Sequence, residues 1–151
     1  MVTGFSPHTE RCLRDAGWNE NFRIDVAPIV RLLEDDGFFV SPAATSFLED
    51  FGSLHLSYPH FQDPTSVDSS HFDAVRAADA VFPARLKDWE AKAGEPLTPI
   101  GEAFREYMTL LMSPTGAVFA AMDDFVYRVA GSGREAIRAL CEGKELGAPL
   151  D

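Results

Sequence analysis

The side chains best equipped for chemistry lie between positions 55 and 73. His55, His60, Asp63, Asp68, His71 and Asp73 put three imidazoles and three carboxylates into one short stretch. Donors of this kind hold zinc or another divalent ion, and a bound ion of that sort activates water for hydrolysis. The spacing fits no metal-site signature, since no helical His-x-x-x-His pair is present and no cysteine joins the set. Histidines beside Tyr58 and Pro59 read more simply as polar loop residues packed on aromatics. No metal and no cofactor is therefore assigned, and a metal-dependent hydrolase ranks last among the functional readings.

Other catalytic arrangements are weaker still. Gly131 to Gly133 is too short for a nucleotide-binding loop, and no serine sits in a nucleophile elbow. Cys141 lies late in an expected helix, beside Glu142 and distant in sequence from every histidine, with nothing visible to activate its thiol. Cys12 and Cys141 sit near opposite ends with no export signal ahead of them, so both are read as reduced thiols. Glu34 with Asp36 and Asp123 with Asp124 could be imagined as acid–base couples. A helix end and a hairpin turn explain them more simply. No catalytic residue is assigned, and the chain is not read as an enzyme.

The elements that would carry these residues are well punctuated. Ser6-Pro7, Asp25 and Ser41-Pro42 open three short helices, closed by Gly17, Gly37 and Gly52. Leu54, Leu56 and Tyr58 alternate with polar neighbours, the period of a half-buried strand. Residues 59–70 read as a loop leading to a second strand around His71 and Phe72. Pro83 opens a helix that ends at Gly94. From Ile100 the pattern turns to strands: one ending near Phe104 and Tyr107, a fully buried run Met108–Met112, then Val118–Met122 and Phe125–Val129. The Ser113–Gly116 turn and the Asp123-Asp124 connection join the last three. Ser132 caps a closing helix that stops at Gly143, and the tail to Asp151 is expected to be loosely held. The sum is one α+β domain over residues 1–151. It has three N-terminal helices, a C-terminal strand meander, a closing helix, and a mixed or antiparallel sheet of about five to six strands.

Composition narrows the function. The 151 residues include 12 Phe against 2 Trp and 3 Tyr, so the core is filled largely by rings without a polar handle. The net charge is −11, from 13 basic and 24 acidic side chains. That balance disfavours nucleic acid and anionic membranes, and it suits a basic protein partner. No apolar run approaches the ~20 residues of a membrane-spanning helix, and no secretion signal is recognisable, which points to the cytoplasm. The charge is also uneven. No lysine or arginine occurs from Leu32 through Val75, whereas Glu34, Asp35, Asp36, Glu49, Asp50, Asp63, Asp68 and Asp73 do. Eight acids without a local counter-charge repel one another, a cost to the fold unless the surface has another use.

Four segments carry a family resemblance: FSPHTERCLRDAGW, LLEDDGFFVSPAATSFLEDFGSL, PIGEAFREYMTLLMSPTGAVFAA and DDFVYRVAGSGREAIRALCEG. Their order and spacing resemble the third subfamily of the SUKH superfamily, immunity proteins of bacterial polymorphic toxin systems. The resemblance implies a sheet flanked by helices, and a role in binding and neutralising a toxin, often a nuclease or nucleic-acid deaminase. It implies scaffold roles for Trp18, Gly37, Phe38, Phe47, Leu48, Phe51, Gly52, Pro99, Ile100, Gly101, Pro114 and Gly116, and it brings no catalytic residues. With the acidic stretch, this predicts occlusion of a cognate toxin's basic surface by the 32–75 segment. Glu49, Asp50, Asp63, Asp68 and Asp73 would form the acidic rim, and Tyr58 and Phe61 would be exposed anchors, across an interface of about 1,600 Å². A general protein-interaction adaptor of the same fold is the second reading.

Overall fold

Serine hydroxyls start three of the helices. Ser6 accepts from the Thr9 N–H, Ser41 from Ala44 and Ser132 from Glu135, each satisfying a donor that the first turn leaves orphaned. The computed structural model describes residues 4–60 and 62–151. In chain order the elements are α1 (Pro7–Asp15), α2 (Ala27–Asp35), α3 (Pro42–Phe51), β1 (His55–Pro59), β2 (Val67–His71), α4 (Ala74–Asp79), α5 (Pro83–Ala93), β3 (Thr98–Ala103), β4 (Met108–Met112), β5 (Val118–Met122), β6 (Phe125–Ala130) and α6 (Gly133–Cys141). The six strands form one antiparallel sheet in sequence order, β1 to β6. An α+β fold with leading helices and a trailing meander is what the punctuation implied. Among the described residues no helix is long and apolar enough to cross a membrane.

The sheet separates two apolar layers, and strand alternation assigns the residues. Leu110 and Met112 of β4 point with Val118 and Ala120 of β5 into the larger core, beneath Leu13, Phe47, Leu48 and Ile137 from α1, α3 and α6. Leu111, Phe119, Ala121 and Val126 face the other way, against Trp89 of α5. Both β3 and β4 are buried along their whole length, which is why Met108–Met112 is apolar at every position but Thr109. Phe47 packs edge-on to Phe72, at 5.0 Å between centroids and 90° between planes, and tilted against Phe51, at 5.3 Å and 40°. Burying one such ring contributes about 1.5–3 kcal/mol.

Several local expectations are corrected. Asp25 does not cap α2 at the usual position: Val26 is the cap residue and has no side-chain bond, while Asp25 Oδ1 accepts from the Ala27 N–H at 3.2 Å. The second strand begins at Val67 and not near His71, because it is paired along all of β1. The sheet resumes at Thr98, two residues before Ile100. Helix α4 was not anticipated; its buried face is Ala74, Ala77 and Ala78, too small to give an apolar period. The tail is tied down where Leu150 N donates to Val126 O at 2.7 Å, on the free edge of β6. Phe104, Arg105 and Glu106 all have left-handed backbones between β3 and β4. Arg105 holds this turn to β2, its amide donating to Ser69 O and its guanidinium to Val67 O.

Candidate functional site

The histidine and aspartate stretch does not converge. His55 is exposed on β1, and its ring tilts against His71 at 5.4 Å. His60 Nδ1 accepts from the Gln62 N–H, within the hairpin loop. Asp63 closes that loop, accepting from the Thr65 hydroxyl and amide and from the Ser66 hydroxyl. The Thr65 hydroxyl bond foremost, then Ser66, holds its carboxyl below the ordinary aspartate range. Asp73 caps α4 through the Arg76 N–H. From position 73 to position 63 the chain runs up the hairpin, so these two carboxylates are separated by roughly 20 Å at the rise of a strand.

His71 alone of the six enters a compact polar group. Its Nδ1 accepts from the Asp73 N–H at 3.0 Å, so the ring proton sits on Nε2 and is donated to Glu102 Oε1 at 2.8 Å. Glu106 lies close enough that ligand atoms of His71, Glu102 and Glu106 fall within 4.8 Å of one another. That triad could hold an ion by distance, but a cation is already there. Arg76 Nη2 meets Glu106 at 2.5 Å and its Nε lies 3.8 Å from Glu102. Both His71 nitrogens are engaged, so ion binding would require removing its Nε2 proton and displacing a guanidinium. The chemistry of this group is that of a clamp between β2, α4 and the β3–β4 turn.

The expected anchor and rim residues are dispersed in depth. Tyr58 is 4% exposed, and its hydroxyl meets Ser70 Oγ at 2.5 Å. Burial, above all, raises its pKa. It is a core residue and not an exposed anchor, because Leu56 and Tyr58 share the inward face of β1, in step with Leu54 just before it. Asp68 stands opposite Tyr58 in the ladder and is likewise 4% exposed, which removes it from any rim. Phe61 lies outside the described residues. Asp50 is paired with Arg23 at 3.2 Å. Glu49, Asp63 and Asp73 keep carboxylates at or near the surface, Asp73 being half-buried.

Two of the eight acids, Glu34 and Glu49, meet with Asp25 at a groove between α2 and α3. A groove there has Ile24, Val26 and Val30 among its apolar lining and Asp25, Glu34 and Glu49 among its acids, with Arg31 the one base. Val30 with Glu34, and Thr45 with Glu49, are pairs at i, i+4, the spacing that sets two residues on one helix face. Glu34 belongs to the 32–75 segment expected to dock, although not to the expected rim, and its i, i+4 spacing from Val30 is the signal for it; Asp25 lies outside that segment, and no spacing marks it. Both helices also end on acids, Glu34-Asp35-Asp36 and Glu49-Asp50, with no basic residue in either last turn. A helix C-terminus is the negative end of its dipole, so each such carboxylate disfavours the helix by about 0.3–1 kcal/mol. Among the described residues, Asp50 alone of the eight acids between 34 and 73 forms a salt bridge.

A model of the SUKH-3 immunity protein family matches residues 5–143. No curated protein and no solved structure matches the chain.

Proposed function

The chain belongs to the SUKH-3 immunity protein family, and on that premise we propose that it neutralises a cognate toxin in the cytoplasm by covering that toxin's basic surface with the groove between α2 and α3. Membership of the family supplies the immunity role. One observation carries the choice of surface: Glu34 and Glu49, in the last turns of α2 and α3 where acids weaken the free protein, stand with Asp25 around an apolar floor. A surface that costs local stability and attracts cations is suited to a partner rich in lysine and arginine. Enzymes that act on nucleic acids have such clefts, because their substrate is a polyanion. A nuclease or nucleic-acid deaminase is therefore the proposed class of toxin, and occlusion without catalysis is the proposed mechanism. Leu32, 56% exposed on α2, and Phe39, 52% exposed just beyond it, replace Tyr58 as the nearest apolar anchors in sequence.

The test is co-expression with the toxin encoded beside this gene, scored by growth, followed by association kinetics on the purified pair. Growth is restored by the wild-type chain. The double variant Glu34→Gln, Glu49→Gln associates roughly ten-fold more slowly at low salt and shows a shallower salt dependence. Failure of rescue with every adjacent gene product turns the proposal towards a general adaptor. Rescue with an unchanged association rate in the double variant removes the α2–α3 surface from it.

A further inference from the structure

Cys12 and Cys141 are 129 positions apart, yet their Sγ atoms lie 3.0 Å from each other. Both thiols are free and buried. Cys12 is on the inward side of α1 and Cys141 ends α6; these helices pack on each other and both pack on β1. The Cys12 thiol also donates to Ser57 O of β1 at 3.4 Å. Nothing in the immunity reading uses this pair. We propose that Cys12 and Cys141 are a modification site, forming a reversible intramolecular disulfide by exchange with a small-molecule disulfide such as oxidised glutathione.

The geometry needs little change. A disulfide sets its sulfurs about 2.0 Å apart, so the two must close by about 1 Å, a distance within reach of side-chain rotation. The two thiols are not equivalent. Cys141 donates its thiol proton towards Cys12, which holds the Cys12 pKa below the ordinary thiol value against the opposing effect of burial. Cys141, as donor of that bond and by its burial, is pushed up. Cys12 is also the one with some solvent contact, at 6% exposed against 0% for Cys141. The Cys12 thiolate therefore attacks one sulfur of the external disulfide, forming a mixed disulfide and releasing one external thiolate. Cys141 then loses its proton and attacks Cys12 Sγ, expelling the second external thiolate. Two protein thiols give up two electrons and two protons, and one external disulfide becomes two thiols.

The new bond would link α1 to α6 and close a loop spanning most of the chain. The constraint that such a bond places on the unfolded chain grows with loop length. The experiment uses the intact, folded protein, incubated in mixtures of reduced and oxidised glutathione. Its mass falls by two hydrogens without a retained glutathione, proteolysis yields a Cys12–Cys141 linked peptide, and the melting temperature rises by roughly 10 °C, reversed by dithiothreitol. In Cys141→Ser the reaction stops with glutathione on Cys12. The proposal is overturned if the folded wild-type protein keeps both thiols free, if it retains glutathione on Cys12 beside a free Cys141, if it crosslinks between chains, or if oxidation lowers the melting temperature.

Discussion

A Cβ built on Gly101 would lie 1.9 Å from His71 O and 2.9 Å from the Phe72 Cα, both backbone atoms that cannot swing aside. This glycine sits at the irregularity in the β3–β4 ladder, where Pro99 pairs with Leu111 and Gly101 with Leu110. Its requirement is closeness and not unusual backbone angles, so any side chain must push β2 away from β3. Gly101→Ala is expected to destabilise the fold by about 2–3 kcal/mol, the upper part of the range for overpacking, measured by urea denaturation. A change below about 0.5 kcal/mol would mean that the two strands separate at little cost. Some residues of this kind are legible in the sequence and others are not. Tyr58 is legible: the alternation that buries Leu54 and Leu56 buries it too, and an exposed anchor there breaks the same period. Gly101 is marked as scaffold by the family resemblance alone, and the reason is not legible, because its constraint comes from His71 and Phe72, about 30 positions away in the chain.

At the scale of elements, the weak seam of the sheet is the join of β2 to β3. Only Ser70 with Ala103 and His71 with Glu102 are paired there, against five pairs between β1 and β2. The side-chain clamp compensates: His71 reaches Glu102, and Arg76 of α4 reaches Glu102 and Glu106. Replacing Glu102 by leucine leaves the His71 Nε2–H buried without an acceptor, a loss of about 1–3 kcal/mol. Glu102→Gln keeps an acceptor oxygen and is expected to lose less than half as much. Amide hydrogen exchange at Ser69 and Ser70 should accelerate more in the leucine variant than in the glutamine one. Equal effects of the two substitutions would show that the charge near Arg76, and not the bond to His71, holds the seam. The individual elements were readable because serine, proline and glycine mark their ends. This clamp was not, since His71, Arg76, Glu102 and Glu106 meet only once α4 and the β3–β4 turn are folded over β2. Helix α4 itself gave no signal because alanine faces it inward and its cap, Asp73, reads as one more acid in an acidic stretch.

For the whole molecule the decisive quantity is a net charge of −11 held with few ion pairs on its most acidic part. The excess of acids in the first half is plain from the sequence; their division between a helix groove and a hairpin tip is not, because only the folded chain brings Glu34 of α2 and Glu49 of α3 to one groove. In the free protein those carboxylates repel one another and face the negative ends of α2 and α3, so screening should help the fold. In the complex they attract a basic partner, so screening should hinder it. The two effects have opposite signs and a common origin. Raising ionic strength from about 0.01 M to 0.1 M shortens the screening length from ~30 Å to ~10 Å. Over that interval the free protein's melting temperature should rise by roughly 2–4 °C, the change that about 1 kcal/mol produces in a domain of this size. Glu34→Gln with Glu49→Gln should raise it at low salt and flatten its salt dependence. A melting temperature that falls as salt is added would mean that the folded state gains more from its ion pairs than it loses to repulsion, and the acidic groove would then have no surplus charge to offer a toxin.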